Sequence, residues 1–223
     1  MTHLETELSN LRLELNEMWA LVISQVKESQ DSLLNFDKEA AAEVLFKEKM
    51  VDVFELKLYR DCENIIALYN PVASDLRLTL GIIKIVLNLE RIGDFAKGIA
   101  KFVAKSPRDI INPELLKVSQ AEELLTSALA MLTDAKTALD NENSRMAISI
   151  FAKDSLIDEI TRGANKFIGE YILKHPEEVD EALNMHNIIR KIERMGDHCN
   201  NIAEEIVFYV EAKVLKHNKA ARK

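Results

Sequence analysis

Apolar residues recur three or four positions apart along nearly the whole chain, the spacing that places them on one face of an α-helix. Leu11, Leu15, Met18, Leu21 and Val22 form one stripe, and Ile148, Phe151, Ile157 and Ile160 belong to another. The breaks are few and sharp. Asn35-Phe36-Asp37 ends a first helix, with Asp37 as N-cap of the next. Asn70-Pro71 ends the second, because proline disfavours helical geometry in the residue before it. Ser106-Pro107 ends the third, and Asn112-Pro113 starts the fourth with proline at its first position. Asp140-Asn141 separates the fourth from the fifth, His175-Pro176 ends the fifth, and the sixth runs to about Val214. The pattern predicts six helices of about thirty residues each, far above the usual mean of roughly a dozen. Long helices joined by short loops pack antiparallel in bundles, so the expected fold is all-α.

A five-residue motif appears twice. Glu90-Arg91-Ile92-Gly93-Asp94 returns as Glu193-Arg194-Met195-Gly196-Asp197, 103 residues later in a chain of 223. Each copy follows an apolar run and precedes Ile-Ala, at Ile99-Ala100 and Ile202-Ala203. Self-similarity at half the chain length means two copies of one unit. The six helices then divide three and three: residues 1–106 form one three-helix bundle and 112–217 the second, with 218–223 as a basic tail. The short connection between them favours rigid side-by-side packing.

Each motif is preceded by a second acidic pair, Glu48 with Asp52 and Asp154 with Asp158. Carboxylates at i and i+4 share a helix face and repel by a few tenths of a kcal/mol, roughly, so four such pairs call for a reason. The turns supply one. Pro71 lies midway between the two acidic pairs of repeat one, and His175-Pro176 midway between those of repeat two. A hairpin folded at each proline brings the pairs to the same height, about 30 Å from the turn at the usual helical rise. Four carboxylates that converge must take up protons or bind cations, and carboxylate oxygen suits magnesium, manganese, calcium or iron. Gly93 and Gly196 sit just before the last acid of each motif, where a small residue admits a second helix or a metal-bound water. Arg91 and Arg194 either pair with neighbouring carboxylates or face an anion on the metal.

Other features narrow the function. A formal charge of −8 opposes nucleic acid binding, which needs a basic footprint. The basic residues near the end, Lys216, Lys219, Arg222 and Lys223, read as a solvated helix end. Cys62 and Cys199 make no disulfide framework and read as reduced residues of a cytosolic protein. Met1 to Glu5 lacks the basic and apolar regions of a signal peptide. The most apolar stretch, Leu78 to Leu89, carries Thr79, Lys84 and Asn88 and is too short to span a bilayer. Any role at a membrane therefore goes through a partner. No Glu-x-x-His occurs, which removes the ligand spacing of ferritin-like di-iron bundles. There is no phosphate-binding loop of the Gly-x-x-x-x-Gly-Lys type and no recognisable Ser or Cys nucleophile. His198, directly after Asp197, reads as a satisfied helix-face histidine or as one at the edge of the site, His186 as a residue packed in the bundle, and Met131, Met146, Met185 and Met195 as core filler.

At the doubled motif the chain resembles the PhoU family of bacterial phosphate-uptake regulators. The resemblance spans almost the whole chain. It is strongest at Pro71-Val-Ala-Ser-Asp-Leu-Arg77, Leu89-Glu-Arg-Ile-Gly-Asp94 and Ile192-Glu-Arg-Met-Gly-Asp-His-Cys-Asn-Asn-Ile-Ala-Glu204. It implies two tandem three-helix bundles related by a pseudo-twofold, often dimerised. It also implies multinuclear metal clusters, of iron, zinc, manganese or magnesium, held by the Glu/Asp-x-x-x-Asp pairs. By position the ligands fall on Glu48, Asp52, Glu90 and Asp94, and on Asp154, Asp158, Glu193 and Asp197. The Asn expected after the motif is Asn201 in repeat two, whereas repeat one has Gly98 there, preceded by Lys97. A lysine beside four carboxylates can replace part of a cation's charge, which makes repeat two the expected tighter site. The function implied is that of a cytoplasmic adaptor between the ATPase subunit of a phosphate ABC transporter and a sensor histidine kinase, repressing phosphate-starvation genes. The competing readings are a metal-dependent phosphatase or redox enzyme, a purely structural bundle, and the related accessory protein of low-affinity phosphate carriers.

Overall fold

The computed structural model describes residues 2–215 as helices with no strand among them. The tail residues Lys216, Lys219, Arg222 and Lys223 lie outside the described residues. The first bundle is α1 (His3–Asn35), α2 (Lys38–Tyr69) and α3 (Ala73–Lys105). The second is α4 (Pro113–Ser119), α5 (Ala121–Asp140), α6 (Ser144–Lys174) and α7 (Val179–Glu211), with a short 3-10 turn at Pro176–Glu178 before α7.

The predicted caps hold the helix ends. Asp37 accepts backbone N–H bonds from Glu39 and Ala40 at 2.8 and 3.1 Å, and Asn112 accepts one from Glu114 at 2.9 Å ahead of Pro113. These bonds satisfy donors that the first helical turn leaves free. Asn70, just before Pro71, takes the left-handed conformation at φ 47° and closes α2. One expected helix is broken. Instead of a single helix from Asn112 to Asp140, the chain turns left-handed at Gln120, φ 51°, and splits into α4 and α5. The buried Ser119 hydroxyl bonds back to the Leu116 carbonyl at 2.8 Å, so the last turn of α4 is satisfied locally. Among the described residues that makes seven α-helices where six were expected. The last of them ends at Glu211, short of Val214.

Each bundle buries a continuous apolar seam. Leu11, Leu15, Met18, Trp19 and Val22 of α1 all lie inside, and so do Met131, Met185 and Met195 of the second bundle. Both cysteines are free and buried. Trp19 also joins the bundles, since its indole Nε1 donates to the Leu132 carbonyl of α5 at 3.2 Å. The main contact between bundles is α3 against α7. Arg77 Nε donates to the Tyr209 carbonyl, Lys84 pairs with Glu205, and Gly98 faces Lys191, so the two helices run antiparallel. Phe95 and His198 occupy equivalent positions of the two repeats, and their rings meet with centroids 5.6 Å apart. A residue touching its own repeat-mate marks the pseudo-twofold axis, which therefore passes between these rings. No described helix is long and apolar enough to cross a membrane.

Candidate metal centre

In repeat one the hairpin closed at Pro71 brings the acidic pairs together as the spacing predicts. Glu48 and Asp52 of α2 and Glu90 of α3 place carboxylate oxygens within 4.8 Å of one another. Glu48 is 2% exposed and Glu90 9%, while Asp52 opens to solvent. Asp94, half-buried, completes the set one turn after Glu90. Gln25 of α1 donates to Glu48 Oε2 at 2.9 Å, and Lys97 Nζ lies 3.3 Å from Glu48 Oε1 and 3.0 Å from Asp94 Oδ1. Arg91 reaches Glu90 and Asp94, each at 3.4 Å.

Repeat two is looser. Asp154 is half-buried, Asp158 and Asp197 are exposed and Glu193 is partly covered. Asn200 Nδ2 donates to Asp154 Oδ2 at 2.6 Å, and Arg190 lies 3.7 Å from Glu193. Among the described residues, no three carboxylates of this repeat approach as closely as those of repeat one. Arg194 turns away and stacks its guanidinium 5.2 Å from the Phe95 ring centroid. Asn201 turns its amide toward Asn88 Oδ1 of α3 at 3.3 Å. His198 Nδ1 lies 2.7 Å from that same oxygen, so the histidine is held across the bundle interface and not at the carboxylates.

The electrostatics are those of crowded acids. Burial and the Asp94 charge push the Glu90 carboxyl up to about 7, against a lowering pull from Arg91. Burial also raises Glu48. Asp94 is held below the ordinary carboxylate range, because its hydrogen bonds with Lys97, Glu48 and Glu90 and the Lys97 charge outweigh its own burial. In repeat two, burial and the charges of Asp158, Asp197 and Glu193 push Asp154 up to about 6, although Asn200 pulls it down. Glu193 and Asp197 are raised as well, chiefly by burial. Crowded carboxylates with raised values bind either protons or a multivalent cation.

The residues fit a hard cation. The donors are carboxylates, which oxygen-loving divalent and ferric ions prefer. Glu90 Oε2 is buried with no hydrogen-bond partner, having only an ion-pair contact to Arg91. The amide oxygens of Gln25 and Asn200 are buried and equally unpartnered. The two motif glycines keep the space clear: a Cβ at Gly93 would lie 3.2 Å from Glu48 Oε2, and one at Gly196 would lie 2.6 Å from Asp154 Oδ1. Sequence spacing found the eight carboxylates but missed Gln25 and Asn200. Asn200 carries one readable signal, standing 103 residues after Lys97. Gln25 carries none, because it comes from a third helix with no acidic repeat.

A family model described as the PhoU domain matches twice, at residues 15–103 and 121–206. The chain is 30% identical over 214 residues to the phosphate-specific transport system accessory protein PhoU homolog 1 of Thermotoga maritima, covering 96% of this chain and 91% of that one. It is 30% identical to the phosphate-specific transport system accessory protein PhoU of Escherichia coli K12, covering 95% and 86%. The crystal structure of PhoU from Pseudomonas aeruginosa superposes with a TM-score of 0.89 at 28% identity, over 94% of this chain and 99% of that one. The phosphate transport system regulatory protein PhoU from Streptococcus pneumoniae gives 0.83 at 27% identity, over 95% and 99%.

Proposed function

The chain belongs to the PhoU family, and from that membership we propose that it is a metal-binding regulator of phosphate uptake and not an enzyme. The observation that carries the reading is the converged acidic cluster of Glu48, Asp52 and Glu90 in a chain that matches the PhoU domain in both halves. Its relatives are named as accessory proteins of phosphate-specific transport. In this reading the protein works in the cytoplasm as a homodimer. It docks on the ATPase subunit of a phosphate ABC transporter and on a sensor histidine kinase, and it represses phosphate-starvation genes when phosphate is plentiful. The outer face of α2 offers surface for such contacts, where Phe46, Met50, Val53 and Leu56 are all exposed. Scattered exposed apolar residues are ordinary, but a stripe of them on one helix suits a protein partner.

Glu48, Asp52, Glu90 and Asp94 would hold the metal of repeat one. Asp154, Asp158, Glu193 and Asp197 would hold that of repeat two, with the buried amide oxygen of Asn200 beside it and Asn201 turned toward Asn88 instead. The cation neutralises carboxylates that otherwise stay protonated or repel, and so fixes α2 on α3 and α6 on α7. That role is structural and regulatory. Iron, zinc, manganese and magnesium all suit the donors to differing degrees.

Deleting the gene in its host should leave phosphate-starvation genes expressed in phosphate-rich medium, read by a reporter. Normal repression in the deletion strain, with no capture of either partner by the purified protein, would sink the adaptor reading. Metal-dependent turnover of a phosphoester, lost with these carboxylates, would instead favour an enzyme.

A narrower prediction concerns Gly196. Gly196→Ala should leave thermal stability within about 1 kcal/mol of wild type, because helix propensity improves by roughly that amount while Asp154 has only to rotate aside. The displaced carboxylate should weaken metal binding in repeat two. Calorimetric titration showing wild-type affinity in a folded Gly196→Ala chain would contradict the cradle assigned to this glycine.

A further inference from the structure

Lys97 and Asn200 stand at equivalent positions of the two repeats, 103 residues apart. Both reach the first member of the acidic pair on the preceding long helix. Lys97 Nζ lies 3.3 Å from Glu48 Oε1, and Asn200 Nδ2 lies 2.6 Å from Asp154 Oδ2. The lysine also bridges to Asp94 Oδ1 at 3.0 Å, so one cation is gripped by carboxylates from α2 and from α3. A surface i,i+3 pair between Lys97 and Asp94 alone would carry little weight. The contact with Glu48 is different, because that side chain is 3% exposed and belongs to another helix.

The charge around the two clusters follows from this exchange. Repeat one has Lys97 and Arg91 against its four acids. Repeat two has a neutral amide in place of Lys97, and its two cations act from α7 alone: Arg190 lies 3.7 Å from Glu193, and Arg194, stacked on Phe95, still acts on Glu193 and Asp197 through space. Like charges approach only where something neutralises them. Accordingly the Glu48, Asp52 and Glu90 oxygens draw within 4.8 Å, and no trio of repeat two does so among the described residues.

We propose that Lys97 is an intramolecular cation that closes the repeat-one cluster, whereas Asn200 leaves the repeat-two cluster open to metal. The two halves of a duplicated chain have thus diverged. A metal enters repeat one only by displacing the ammonium, and it enters repeat two without that competition. The inference rests on the reading that these clusters bind metal.

The test is Mn2+ titration of full-length metal-free protein, with free Mn2+ read by electron paramagnetic resonance and the fold checked by circular dichroism. Repeat two is first silenced with Asp154→Asn, Asp158→Asn, Glu193→Gln and Asp197→Asn, so that repeat one is read alone. On that background Lys97→Asn should tighten binding about tenfold or more, and Lys97→Arg, which keeps the charge, should not. In a second chain, with repeat one silenced by Glu48→Gln, Asp52→Asn, Glu90→Gln and Asp94→Asn, Asn200→Lys should weaken binding by a similar factor. Unchanged or weaker affinity in folded Lys97→Asn, with Mn2+ still bound by wild type, would overturn the lysine inference alone. No Mn2+ binding by wild type or any variant would overturn the metal reading along with it.

Discussion

Neutralising the four acids of repeat two is expected to shift stability in opposite directions with and without metal. In the metal-free protein Asp154 is pushed up to about 6 by burial and by its acidic neighbours, and Glu193 and Asp197 are raised as well. At pH 7.5 Asp154 is above its raised value and is ionised at a cost to the folded state. Asp154→Asn, Asp158→Asn, Glu193→Gln and Asp197→Asn remove that cost, so the midpoint of thermal unfolding should rise in chelator. With metal present the sign reverses. A ligand bound only by the folded state stabilises it by about 2.7 kcal/mol at a hundredfold excess over Kd, and the variant forfeits the share of that site. Thermal unfolding of both proteins with and without metal checks this. Shifts of the same sign under both conditions would mean that the acids do not act as a cation site.

The pH dependence of the metal-free protein is the second large effect. Glu90 rises from 4.5 to about 7 and Asp154 from 3.8 to about 6 on folding. The folded chain therefore holds more protons than the unfolded chain between those limits. The contribution of these two groups to stability is greatest below the ordinary carboxylate values and is lost as pH rises from there through 6 and 7. At about 1.4 kcal/mol for each pH unit over which the two states differ, the loss is on the order of 2 kcal/mol or more. Asp94 and His198 are held below their ordinary values and act in the other direction. The informative comparison is therefore wild type against Glu90→Gln with Asp154→Asn. Urea unfolding in chelator at pH 4.5 and pH 7.5 should show a clear loss in wild type, reduced in the double variant. Equal pH dependence in the two would contradict the assigned values.

The repeat, most helix ends and the meeting of Glu48, Asp52 and Glu90 were legible because each leaves a local mark. Asp37 and Asn112 stand where a first turn needs an acceptor, Pro71 forces the residue before it out of helix, and the acidic pairs keep helical spacing. What was not legible depends on packing between elements. The break at Gln120 carries neither Gly nor Pro, and the short α4 that precedes it packs against α6 and α7. Arg91 and Arg194 hold the same position in the motif, yet one pairs with acids and the other stacks on Phe95. Spacing along one chain cannot distinguish them, since the difference comes from the facing bundle. Lys97 was visible as a charge near the motif, but its reach to Glu48 depends on how α3 lies against α2.

Metal content of the protein purified without chelator or affinity metal, measured by elemental analysis, tests the central claim most directly. Wild type should carry bound metal, and the chain with all eight acids replaced by their amides should carry none while remaining helical by circular dichroism. Equal metal in the two folded proteins, or none in wild type even after it is supplied, would contradict the account.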